Sequence, residues 1–225
     1  LIKNNKGVYE DAVFEEFLLK KTQKMLGWLE SVTFLNGTTP RVNDSTEGIA
    51  PETKELFDYA KRLGLKWSTI KPLDSGYRVF SEGVTELFVD YGKIGPSYIP
   101  GHAHADTFNF VLNHEEKPLI VDPGISTYNT GYRRQRERST SSHNTVRYGK
   151  VDQSEVWGGF RVGRRAKAVI TDESETSIKG YHDGYKRFGV YHQRVFNFNQ
   201  KKITIEDLMV AESKLIGKSS AYFHF

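Results

Sequence analysis

The sequence has no cysteine and only two methionines among its 225 residues. The missing thiols exclude a disulfide framework, a thiolate metal site and a cysteine nucleophile. A metal here has to be held by histidine, aspartate or glutamate. No run of about eighteen apolar residues exists, so nothing spans a membrane, and the opening LIKNNKGVYED is not a signal peptide. Repeats of fixed period and low-complexity segments are also missing. Strong charge is absent as well: the net charge is +4, the pI is near 9.0, and both signs are spread along the chain. That is a mild bias toward anionic partners such as an acidic small molecule or polysaccharide, and it gives no signature of nucleic-acid binding.

What is present is enough apolar content, 37%, for one domain or two small ones. Aromatic residues reach 13%, led by Phe and Tyr, which suits β-rich packing and sugar-stacking surfaces. Residues 8 to about 30 carry Phe14, Leu18, Met25 and Leu29 at helical spacing, with Glu10 and Asp11 where they complement the helix dipole. The turn-rich FLNGTTPRVNDSTEGIAP reads as a long loop. A second helix then runs through PETKELFDYAKRLG, from Pro51 to a stop at Gly64.

After about residue 70 the texture changes to short β-prone runs: YRVF, TELFVDY, FNFVL, KPLIVD, FRVGRRAKAVI, TSIKGYH, VYHQRVFNF, KKITIED and AYFHF. NHEEKP is a hairpin connection between two of them. Helices first and strands after predict an α+β chain: a short helical part over 1–70, then an antiparallel β-sandwich over 71–225. The start at Leu1 and the strand-like AYFHF ending read as a piece of a longer, exported protein whose helical unit is incomplete.

Three segments carry ligand-type residues beside turns or strand ends: GHAHAD (101–106), IVDPG (120–124) and STSSHNTV (139–146). On a strand, His102, His104 and Asp106 would share one face and Ala103 and Ala105 the other. Asp122 stands where a strand stops before Pro-Gly, and His143 sits among small polar residues. Two imidazoles and a carboxylate are a familiar zinc set that leaves a coordination position open. A turn-capping role for Asp122 and a plain loop role for His143 are the alternatives. HAHAD matches the start of a metallo-β-lactamase signature, but Thr107 stands where its next histidine belongs, and the strands do not alternate with helices. An amidohydrolase barrel would need parallel strands and about 250 residues or more.

The stretch from GHAHADTFNF through IVDPG, RSTSSHNTV and DQSEVWGGF, in that order, resembles the core of the heparinase II/III-like family of polysaccharide lyases. The likeness covers about 70–205, and the VNDS loop with its flanking helices resembles the end of that family's α/α toroid. The resemblance implies an enzyme that cleaves an acidic, uronate-containing polysaccharide by β-elimination, in a bacterial periplasm or at the envelope. It implies zinc, or another divalent cation, on His104, Asp122 and His143, with His102 facing the substrate carboxylate. Asp106 has no ligand role in that pattern and is read as a support that orients an imidazole. Family members take the proton with a tyrosine on the toroid, and no tyrosine of this chain is matched to it.

GYRRQRERST supplies guanidinium groups suited to carboxylates or sulfates. Arg138, nearest to His143, is the expected substrate contact, and Tyr128 is a second. Trp67 and Trp157 could stack on sugar rings, although burial is the commoner fate of tryptophan. The competing reading is a non-catalytic glycan-binding or structural sandwich whose metal only holds the fold together.

Overall fold

The computed structural model describes residues 12–71, 75–199, 202–213 and 217–225. The first helix, α1, covers Ala12–Ser31; the expected start at residues 8–11 lies outside the described residues. The second, α2, covers Thr53–Arg62. It is capped at Glu52, whose N–H is accepted by the Glu55 side chain at 3.1 Å. Gly64, at φ 69°, follows its end in the left-handed region that stops a helix.

The strands form two four-stranded antiparallel meanders. In the first, β1 (Tyr77–Glu82), β2 (Thr85–Asp90), β3 (Asn109–His114) and β4 (Lys117–Ile120) pair in chain order. In the second, β8 (Ala168–Glu173), β9 (Ser177–His182), β10 (Val190–Asn199) and β11 (Lys202–Ala211) do the same. Between them lie the helix α3 (Tyr132–Glu137), the short strand β5 (Val146–Tyr148), and the small hairpin of β6 (Val156–Trp157) with β7 (Arg161–Val162). A last strand, β12 (Ser219–Ala221), pairs with β5.

The two meanders face each other across one core. Phe80, Leu87, Val89 and Phe110 of the first sheet meet Ile178, Phe196 and Phe198 of the second, with Phe108 between them. The alternation that predicts β10 is literal: Val190, His192, Arg194, Phe196 and Phe198 point inward. On β2 alternation fails because both faces are covered. Leu87 and Val89 face the sandwich core, while Phe88 faces Val32, Phe34 and Val42 from the chain that follows α1. The helical part therefore lies on the outer face of the first sheet.

Other expectations need adjustment. NHEEKP is the β3–β4 hairpin, closed by Glu115 and Glu116 at φ 50° and 60°, a turn geometry matched to strand twist. FRVGRRAKAVI is not one strand but the end of the small hairpin, a break, and the start of β8. AYFHF contributes only Ala221 to a strand. GHAHAD is not a strand at all. The Ala103 and Ala105 N–H groups go to the carbonyls of Pro100 and Arg138, and the Arg138 side chain takes the Ala103 carbonyl, so no strand among the described residues pairs with this segment. His102 is consequently exposed while His104 and Asp106 are buried.

Candidate metal centre and its rim

His104 and Asp106 enter from the irregular segment before β3, and His143 from the turn before β5. One ligand atom from each lies within 4.8 Å of the others. Asp122, just after β4, stands behind His143: its Oδ2 accepts the His143 Nδ1–H at 2.6 Å. That carboxylate also accepts from Asn109 Nδ2 at 2.7 Å and from the Gly124 N–H at 2.9 Å. His104 donates Nε2–H to Asp44 Oδ1 at 2.9 Å. Each imidazole thus spends one nitrogen on a carboxylate and keeps the other.

The nitrogens left over, His104 Nδ1 and His143 Nε2, are buried without a hydrogen-bond partner among the described residues, and so is Asp106 Oδ2. Leaving a buried polar atom unpaired costs about 1–3 kcal/mol, so three at one spot call for a ligand. Two imidazole nitrogens and one carboxylate oxygen form a donor set suited to zinc, and each imidazole has the carboxylate behind it that metal-binding histidines usually have. The residues present therefore fit a divalent cation.

The local charge agrees. Burial pushes the Asp106 carboxyl above its ordinary range, with Asp122 adding to the rise and the two histidines opposing it. Asp90, buried nearby, is raised too, by burial first and then by Asp106. Burial alone would lower His143, but the Asp122 carboxylate outweighs it and pushes the imidazole up to about 9, so a cation bound at Nε2 would displace a proton from it. His104 is held below its usual value by burial despite its bond to Asp44. A pocket crowded with acidic groups favours a cation.

Of the expected ligands, His104 and His143 come together. Asp122 touches the group through His143, and the carboxylate with a free oxygen is that of Asp106. His102 lies on the rim with its side chain 64% exposed and its Nδ1 2.8 Å from Asp44 Oδ2. Its ring is 5.9 Å from that of Tyr128 and 6.2 Å from that of Phe160, and those two rings are 5.7 Å apart. Tyr128 and Phe160 are exposed in turn.

Arg138 is not on this rim. It is fully buried at the cap that ends α3, donating to the carbonyls of Ala103 and Gly159, with burial lowering its pKa to about 10. One turn earlier, Arg134 is also buried. It donates to both Asp44 oxygens, at 3.0 and 2.8 Å, and lies under Phe160 with its guanidinium 4.2 Å from the ring centroid. Arginines at i and i+4 share a helix face, so an inward α3 buries both. Trp157 is half exposed on β6, and Trp67 stacks on Phe57 at 5.5 Å.

Sequence reasoning missed Asp44, Arg134 and Phe160. Asp44 lies in a loop of turn residues, where an aspartate ordinarily bonds its own backbone, and nothing local distinguishes it.

The description "Heparinase II/III-like, C-terminal" matches residues 66–225, and the chain belongs to this family. Among solved structures it is similar to a heparinase III with methylated lysines, at 22% identity and TM-score 0.61, over 84% of this chain and 31% of that one. A second heparinase III is 19% identical, with TM-score 0.60, over 90% of this chain and 35% of that one. The heparan sulfate lyase of Pedobacter heparinus is 16% identical, with TM-score 0.59, over 82% and 31%. At these identities the likeness establishes the shared sandwich fold, and the chain spans about a third of the length of those structures. No curated protein sequence matches it.

Proposed function

We propose that the chain is the sandwich portion of a polysaccharide lyase that cleaves an acidic, uronate-containing polysaccharide by β-elimination, with zinc held behind the substrate rim. In that reaction the proton next to the uronate carboxylate is taken by a base, the C4–oxygen bond to the next sugar breaks with a proton delivered to the departing oxygen, and a C4–C5 double bond forms. Negative charge develops on the carboxylate side, where a donor or cation lowers the barrier. His102 fills that role as an imidazolium, with its inner N–H on Asp44 and its outer N–H turned to the substrate: it is exposed, anchored by its inner nitrogen, and flanked by the Tyr128 and Phe160 rings on which a sugar can stack. An acidic polysaccharide substrate implies an exported protein, in the periplasm or at the envelope of a bacterium.

The single observation that carries the metal reading is the set of three unpaired buried atoms on His104, Asp106 and His143. When bound, the cation supplies fixed positive charge that balances the buried carboxylates and stiffens the floor under His102. His104 and His143 supply nitrogen, and Asp106 and Asp122 compete for the oxygen position. Comparing zinc affinity in Asp106→Asn and Asp122→Asn assigns it: the ligand shows the larger loss, and the other costs about 10–100-fold as a supporting carboxylate.

The lyase reading is tested on the full-length protein with heparan-type and alginate-type polymers. Ultraviolet absorbance from unsaturated uronates is expected, and it should fall by more than tenfold in His102→Ala while zinc content stays at the wild-type level. The burial of the metal group, with His104 and His143 fully buried, also suits the second reading, a glycan-binding sandwich with a structural metal. Glycan binding without any new absorbance would favour that one.

A further inference from the structure

Asp44 belongs to the loop between the two long helices, yet its carboxylate is only 4% exposed and meets both histidines of GHAHAD. His102 Nδ1 lies 2.8 Å from Oδ2 and His104 Nε2 lies 2.9 Å from Oδ1. The Arg134 guanidinium donates to both oxygens from the third side. Asn43 fastens the same spot from the backbone, its Oδ1 accepting the His104 N–H at 3.1 Å.

These contacts fix where the hydrogens are. A guanidinium only donates, so Asp44 accepts from Arg134 at both oxygens. The ion pair with the buried Arg134 guanidinium, one N–H on each oxygen, keeps that carboxyl ionised. An ionised carboxylate is acceptor-only, so each imidazole nitrogen facing it must carry a hydrogen. A neutral imidazole has only one. The lone pairs are therefore left on His104 Nδ1, which is the buried unpaired atom of the ligand group, and on His102 Nε2, on the exposed ring.

We propose that Asp44 is a positioning residue that sets the tautomer and orientation of both imidazoles at once, aiming one at the metal group and the other at the substrate rim. One carboxylate from the helical side thereby joins the two halves of the site. The assignment of the rim to substrate rests on the lyase reading above; the tautomers do not.

The test uses this chain with ¹⁵N-labelled histidine, metal-free and at mildly alkaline pH, in long-range ¹H–¹⁵N spectra of wild type and Asp44→Asn, followed by zinc titration against a chelator. In the wild type the hydrogen is expected on Nδ1 of His102 and on Nε2 of His104. An asparagine amide nitrogen cannot accept, so in Asp44→Asn the histidine facing it must switch tautomer, and zinc affinity should fall about 10–100-fold. A wild-type His102 with its hydrogen on Nε2 overturns the proposal whether or not the variant folds. So does a folded variant with both tautomers and zinc affinity unchanged. A wild type that binds no zinc overturns the metal reading, while the tautomer pattern still decides the role of Asp44.

Discussion

At the residue scale, a charged side chain near a site has two quite different uses, and Arg138 illustrates the less visible one. Its guanidinium holds the Ala103 and Gly159 carbonyls, fixing the backbone of the GHAHAD segment where no neighbouring strand does so. Sequence reasoning expected it on the substrate because arginine suits carboxylates, and burial was the fact that composition could not supply. Replacing it leaves the Ala103 carbonyl without its donor, while the Gly159 carbonyl keeps the Arg134 Nε–H at 2.6 Å. Arg138→Met is expected to lower unfolding free energy by about 3 kcal/mol in urea titration, whereas exposed Arg133→Gln should change it by less than about 0.5 kcal/mol. Equal effects from the two would remove the structural role given to Arg138.

At the element scale, β10 is the best-read strand and also carries polar groups into the core. His182 Nδ1 accepts the Gly184 N–H at 3.1 Å, so its Nε2–H donates to His192 Nδ1 at 2.9 Å. His192 Nε2–H then donates to Asp207 at 2.7 Å, a carboxylate that Arg194 also grips. This chain of bonds is complete only when both imidazoles are neutral. Burial lowers both pKa values, with the charge of Arg194 adding to the fall. The unfolded chain takes up protons as pH drops through about 6.5 while the folded chain does not, so stability is full above that pH and declines below it. The expected slope is up to about 1.4 kcal/mol per pH unit for each histidine. Urea midpoints measured across this window should fall less steeply in His182→Gln than in the wild type. Identical slopes would mean that these histidines do not stay neutral in the fold.

At the scale of the whole molecule, the site depends on two layers meeting. Phe34, from the chain after α1, covers Phe88 and Val111 on the outside of the first sheet, while Asp44, ten residues later, reaches the histidines. Phe34→Ala should cost about 3–5 kcal/mol in chemical unfolding, and a loss below about 1 kcal/mol would mean that this layer is not packed as described. Most strands were legible because alternation survives wherever one face is buried, as on β10. The strand assigned to GHAHAD was not, because an alternating pattern cannot reveal that Arg138 satisfies the backbone from elsewhere. His104 and His143 were legible as ligand-type residues beside turns. Asp44 was not, since its partners lie about sixty and ninety residues away, at separations of 58, 60 and 90. The most direct test of the account is elemental analysis of the purified chain beside its His104→Ala and His102→Ala variants. About one zinc per chain, lost in His104→Ala and kept in His102→Ala, is the predicted result. No metal in the wild type, or equal loss in both variants, would contradict a buried metal centre lying behind a separate substrate histidine.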